Sequence, residues 1–303
     1  MVMIASLSSG DAGPFMRFDL YIPKNLDELL RYLGKEHQAT MIAAGTDLIP
    51  RIERRITRPK LLVDLSGLHE LRYIELQGDD VKIGAMTTIS DLAESSMLAA
   101  RYEVFKQVSS KFGAPPIRNV ATVGGNVAAA SSSEDLIPVF LALDANVQLV
   151  SIHGKRNLPL QKFLLGKRDT DLRPGELITE ISFHKITESS WCSFEKVGRR
   201  NSLIIALVSA AVHLDLDPQE MTIKQVQAAF NRVRGKIPER AHITEETLRG
   251  KQLNDEAVNE ALRVLESELT LTTDYRASAN YRRKAAMICF DRALSHCVAE
   301  IKR

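Results

Sequence analysis

Apolar and polar side chains alternate over residues 18–22 until Pro23 interrupts them, which predicts a short strand. Asn25 then stands where a helix N-cap belongs, Leu26, Leu29, Leu30 and Leu33 follow at helical spacing, and Gly34 is the expected C-cap. A second apolar run over 40–44 predicts a strand feeding the turn Gly45-Thr46-Asp47, and 60–65 predicts a third strand closed by Ser66-Gly67-Leu68. Residues 74–76 and 81–83 read as a hairpin about Gly78, Asp79 and Asp80, ended by Gly84. Helices are expected from Thr87 to Leu92, capped by Thr88 or Ser90, and over 98–112 as far as Gly113.

Pro115-Pro116 breaks the chain before a glycine-bearing string, after which 136–143 reads as a helix and 147–152, 154–156 and 158–160 as strand, turn and strand. Residues 163–168 read as a loop and 177–183 as a further strand. From Ser193 the pattern changes. Apolar runs over 204–214 and 226–230 predict strands, and helical spacing governs 244–271 and 281–301.

At 303 residues and 45% hydrophobic, the chain can bury a large core and divides into two or three domains. The charge is nearly balanced, 40 basic against 38 acidic residues, so bulk electrostatics favour no nucleic-acid partner and no acidic membrane surface. Residues 1–15 lack a basic leader and contain Asp11 and Pro14, so they are expected to be a flexible extension rather than a signal peptide, before a domain starting near Met16. No run reaches the length of a membrane helix, and a cytoplasmic protein is expected. Cys192, Cys289 and Cys297 are too few for a four-thiolate iron–sulfur cluster, and no metal centre is expected. Redox chemistry in such a chain needs an organic cofactor and an outside source of electrons.

The most informative string runs from Ile117 through Arg118, Asn119, Val120, Ala121, Thr122 and Val123 to Gly124, Gly125 and Asn126. Two adjacent glycines let backbone take positive φ or approach a ligand closely, and such a turn can aim several N–H groups at one anion. The small residues 127–133 and the acidic pair Glu134-Asp135 follow, as a polar wall beside a ligand would. A hairpin or bulge is the commoner account of an isolated Gly-Gly. The Ala44-Gly45-Thr46-Asp47 turn has the same two readings, anion cradle or ordinary strand-to-helix connection.

Taken in order, these strings resemble the FAD-binding subunit of molybdenum hydroxylases, the flavoprotein component of the xanthine dehydrogenase and carbon monoxide dehydrogenase family. They comprise G-T-D after a strand, L-V-D-L-S-G-L, I-G-A-M-T-T, I-R-N-V-A-T-V-G-G-N, A-S-S-S-E-D-L-I-P and L-A-L-D-A, with G-K-R-D-T-D-L-R-P-G-E-L-I-T-E-I, F-E-K-V-G-R-R and Y-R-R beyond. The resemblance covers nearly everything from Met16 onward. It implies an α+β protein with a two-lobed FAD-binding fold of the vanillyl-alcohol-oxidase type, divided as 16–60 and 61–190, and a C-terminal α+β domain over 191–303.

The resemblance also implies roles. Ile42, Ala43, Ala44, Gly45, Thr46, Asp47 and Leu48 would form one diphosphate loop, and Thr122, Val123, Gly124, Gly125 and Asn126 the other. Phe112 would lie against the cofactor, or be a core phenylalanine at a helix end. Asp135 would bond ribityl or ribose hydroxyls, and can also cap the 136–143 helix. Ile178 would pack on the isoalloxazine, or simply in the core. Lys196, in a basic cluster with Arg199 and Arg200, falls near the flavin in relatives, although such clusters are usually solvated faces. Tyr281, Arg282 and Arg283 fit domain anchoring better than ligand contact. Two departures stand out: Ala44 replaces a common glycine, which would be strained at positive φ, and Ser131-Ser132-Ser133 occupies a stretch where proline is common.

The implied function is electron transfer by FAD, from iron–sulfur clusters in a small partner subunit to NAD or another acceptor, while a molybdopterin large subunit hydroxylates the substrate. No catalytic acid or base is then required in this chain. The alternatives are a self-contained FAD oxidoreductase of the same fold and a non-catalytic assembly protein that keeps it.

Overall fold

Parallel pairing organises the first part of the chain. In the computed structural model, which describes residues 18–36, 38–199, 205–231 and 237–303, strands Asp19–Tyr21, Leu61–Asp64 and Ala39–Ile42 lie side by side in that order. The expected extension over 1–15, the start at Met16, and Arg200 and Ile204 fall outside these residues. Parallel strands need crossover connections, and helix Leu26–Leu33 makes the one between the two outer strands. Asn25 Oδ1 caps it by accepting from Glu28 N at 2.9 Å, Leu29 and Leu33 are buried, and Gly34 is the C-cap.

The second sheet is antiparallel, in the order Ile74–Gln77, Asp80–Gly84, Leu177–His184, Asn146–Ser151, Gly154–Pro159. Helices pack on this sheet, and Phe105, Phe140 and Phe183 meet in the core with ring centroids 5.8–6.4 Å apart. Thr88, rather than Ser90, caps helix Ile89–Glu94, in a capping box with Asp91. The continuous helix expected over 98–112 is instead two, Ser96–Ala99 and Glu103–Lys111. The break frees Arg101 to bond Thr187 O and Glu188, and Tyr102 Oη to accept from Ile186 N. Tertiary partners outweigh helical periodicity there. Likewise the expected 163–168 loop opens with the end of helix Leu160–Phe163 and continues as strand Leu164–Gly166.

The third sheet joins Ser190–Val197, Val208–Leu216, Ile223–Asn231 and Glu239–Arg240 in antiparallel order. The helix expected over 244–271 is also two, His242–Leu248 and Asp255–Glu268. Gly250 at φ +73° ends the first, and Asn254 Oδ1 caps the second by accepting from Ala257 N at 2.9 Å. The last helix, Ala279–Ile301, starts two residues earlier than expected because Ser278 caps it. Arg282 is 2% exposed and donates to Leu207 O and Asp274 Oδ1, both at 2.6 Å, so it anchors the domain. This sheet shares its inner face with the second unit: Cys192, Phe194, Ala211 and Ala229 belong to one buried cluster with Phe105 and Phe140. Gln107 ties the two together by accepting from Phe194 N at 2.8 Å.

Candidate functional site

Between the parallel sheet and the antiparallel unit runs a cleft of about 250 Å³. One wall grows from strand Ala39–Ile42. Where that strand ends, Gly45 takes φ +72°, and a Cβ added there would stand 2.7 Å from Ile49 Cγ1, so the turn specifies glycine. Among the described residues, the amides of Gly45, Thr46 and Asp47 find no hydrogen-bond acceptor. Ala44 is not at positive φ, so alanine in place of glycine there carries no left-handed strain. Asp47 precedes helix Leu48–Glu53 without capping it. Its carboxylate instead receives two bonds from Arg168, at 2.8 and 3.0 Å. Arg168 itself sits at φ +59°, with its N–H bonded to Ala130 O.

The opposite wall corrects the expected glycine turn. Gly124 and Gly125 are not left-handed; they lie in the first turn of helix Val123–Ala129, which Thr122 caps by accepting from Gly125 N at 3.1 Å. All four leading amides have protein acceptors: Val123 N bonds Thr87 O, Gly124 N bonds Ala85 O, Gly125 N bonds Thr122 Oγ1 and Asn126 N bonds Thr122 O. The glycines serve closeness. A Cβ on Gly124 would fall 2.7 Å from Ala85 Cβ and 2.9 Å from Ala85 O, and one on the exposed Gly125 would fall 2.9 Å from Thr122 Oγ1.

Of the residues singled out in the sequence, Ile42, Ala43, Ala44, Gly45, Thr46, Asp47, Leu48, Phe112, Thr122, Gly125 and Asn126 line this cleft. Gly124 and Ile178 line an adjoining cavity of about 100 Å³, which shares Met41, Ala43, Thr122, Gly125 and Ala128 with the first. Val123 is fully buried and lines neither. Phe112 keeps both of its readings, since it ends helix Glu103–Lys111, packs partly on the core and also faces the cleft.

Asp135 and Lys196 stand apart, as a buried ion pair at 2.5 Å whose side chains are 8% and 3% exposed. Lys196 also donates to Lys111 O at 2.9 Å, while Arg199 is exposed. The expected helix cap by Asp135 is not made: its backbone is already helical and its side chain bonds Lys196 instead of an amide. Burial pushes the Asp135 carboxyl up to about 6 against the pull of Lys196. Glu134, expected from the sequence in a polar wall, does line the cleft, and Arg168, given no role of its own there, reaches it through Asp47. Glu134 Oε2 accepts from Asn126 Nδ2 at 2.5 Å, and burial with Asp47 and Asp135 nearby pushes its carboxyl up to about 8. The Glu134-Asp135 pair was visible as an acidic pair, but nothing local says that one member faces the cleft and the other a lysine.

Open amides on one wall suit an anion, and the buried, partnerless Asn126 Oδ1 suits a ligand hydroxyl or N–H donor. Such a site suits a ligand carrying both. The FAD binding domain of molybdopterin dehydrogenases matches residues 16–184. The chain is a member of that flavoprotein family. The CO dehydrogenase flavoprotein C-terminal domain matches residues 193–297 of this flavoprotein. It is 31% identical to the carbon monoxide dehydrogenase medium chain of Afipia carboxidovorans, over 94% of this chain and 98% of that one. To the xanthine dehydrogenase FAD-binding subunit of Escherichia coli O157:H7 it is 27% identical, over 90% and 94%. Among solved structures, reconstituted CO dehydrogenase from Oligotropha carboxidovorans superposes with a TM-score of 0.89 at 29% identity, covering 94% of this chain and 99% of that one. The observed fold is therefore the FAD-binding fold with a C-terminal flavoprotein domain, the cofactor is FAD, and the class is oxidoreductase subunit. Among the described residues, no helix is long and apolar enough to cross a membrane.

Proposed function

We propose that this flavoprotein is the electron-transfer subunit of a molybdenum hydroxylase, receiving electrons from iron–sulfur clusters in a small subunit and passing them to NAD or another acceptor. Hydroxylation belongs to a molybdopterin large subunit, and the assembly is cytoplasmic. The observation that carries this reading is the cleft, whose Gly45, Thr46 and Asp47 amides have no acceptor among the described residues and stand where an anionic cofactor would lie. Its supply from a partner is supported by the cysteines. All three are free and buried, with thiols pushed up by burial, that of Cys289 to about 12, so none is a ready thiolate ligand for a cluster.

FAD, once bound, supplies a ring that exchanges electrons singly or in pairs. The chain's own residues bind and orient it. The Gly45–Asp47 amides would hold the diphosphate, flanked by Ile42, Ala43, Ala44 and Leu48. Thr122, Gly125 and Asn126 would form the smooth facing wall, backed by Val123 and Gly124. Phe112 and Ile178 would border the ring, and Asp135 with Lys196 would set the field behind the site. In this reading residues 16–60 and 61–190 are the two FAD lobes and 191–303 the C-terminal domain. Isolated protein should carry one FAD per chain, measured by absorbance, without iron. Mixing it with the iron–sulfur and molybdopterin subunits should restore substrate-driven reduction of the flavin. Stoichiometric iron in the isolated chain, or flavin that substrate reduces without partners, would overturn the assignment.

A further inference from the structure

Glu134 lines the cleft with Asn126, and Asn126 Nδ2 donates to its Oε2 at 2.5 Å. No partner for Oε1 is found among the described residues. Among the described residues, four charged groups act on this carboxyl from the surrounding elements, Asp47 before helix Leu48–Glu53, Asp135 next in the chain, Arg168 beyond strand Leu164–Gly166 and Lys196 on strand Ser190–Val197, while Arg51 also lines the cleft and pairs with Asp47 at 3.7 Å. The two cations are already engaged. Arg168 makes a two-pronged pair with Asp47, and Lys196 a buried pair with Asp135. Glu134 is left with a neutral amide as its hydrogen-bond partner and two carboxylates as neighbours, an arrangement that favours the protonated acid.

Resting on the FAD reading, we propose that Glu134 is a further cofactor-binding residue and that it acts as a donor, its carboxylic acid presenting Oε1–H to an oxygen of the bound dinucleotide. The geometry is self-consistent. Oε2 is the carbonyl oxygen that Asn126 needs as acceptor, so the proton belongs on Oε1, the atom without a protein partner. Losing that proton removes the donor and places a negative charge beside a diphosphate. Affinity for FAD is therefore full where the acid is intact and falls as pH rises through the raised value of about 8. Glutamine mimics the acid closely, because its Oε1 accepts from Asn126 while its Nε2 donates into the cleft.

The test is the dissociation constant of FAD from full-length apoprotein, by fluorescence quenching, between pH 6.5 and 9. Wild type should weaken about tenfold over this span, as expected for binding to the protonated form alone. Glu134→Gln should hold nearly constant affinity, and Glu134→Ala should bind more weakly at every pH with a flat profile. A flat wild-type profile, or a decline in Glu134→Gln parallel to wild type, overturns the inference and leaves the FAD site intact. Failure of wild type to bind FAD at any pH overturns the FAD reading and this inference together.

Discussion

The two walls of the cleft look alike in sequence and differ in physics. Both are short strings with glycine after β-branched or apolar residues. In the first, Gly45 takes a left-handed backbone, and its amide and the next two have no acceptor among the described residues. In the second, Gly124 and Gly125 are helical, and every leading amide is already bonded within the protein. The glycine backbone of one wall can offer hydrogen bonds, and that of the other offers only proximity. A glycine motif therefore does not report which of glycine's two properties, free φ or missing Cβ, is in use.

The sharpest test of that contrast is Gly45→Val. A β-branched residue at φ +72° is strained by about 1–3 kcal/mol and its Cβ meets Ile49, so the amides should turn away and FAD binding should fall by at least a hundredfold in titrations. Behind the second wall, Asp135→Asn should lower apoprotein stability by about 3–5 kcal/mol in urea unfolding, because it strands the buried Lys196 ammonium. That is a far larger loss than removal of a helix cap. Wild-type apoprotein should also lose thermal stability as pH rises from 5 to 9. The folded Glu134 holds its proton up to about 8 while the unfolded chain releases it near the ordinary glutamate value, so this contribution is full at low pH and gone above 8. Glu134→Gln should flatten that slope, and an unchanged slope would place the titration elsewhere.

Smaller effects separate the walls further. Gly125→Ala should weaken FAD by roughly tenfold, or about 1.4 kcal/mol, through crowding at the cleft surface, while barely changing stability, since alanine's better helix propensity offsets the close Thr122 contact. Equal loss of FAD in Gly125→Ala and Gly45→Val would erase the distinction. Thr122→Ala should cost about 1 kcal/mol of stability through the lost cap, read as a shift in urea midpoint.

Strands and most turns were legible because alternation and punctuation are local. The helix divisions were not: nothing in 98–112 marks the stop, which arises from bonds of Arg101 and Tyr102 to residues 186–188. Asp135 shows the same limit at the site. A cap is readable from its neighbours, but a lysine 61 positions away is not, and that lysine takes the carboxylate. The resemblance located the cleft, while its internal division of labour emerged only from hydrogen bonds.

The Arg168–Asp47 contact spans the cleft's two lips, and its side chains are 31% and 42% exposed. A half-wet ion pair is screened at high ionic strength. It should therefore act as a salt-sensitive latch beside the groove. The ionic strength of a chromatography buffer becomes a hidden variable in cofactor occupancy, and flavin content compared after low-salt and high-salt washes, in wild type and Arg168→Met, reads the latch directly.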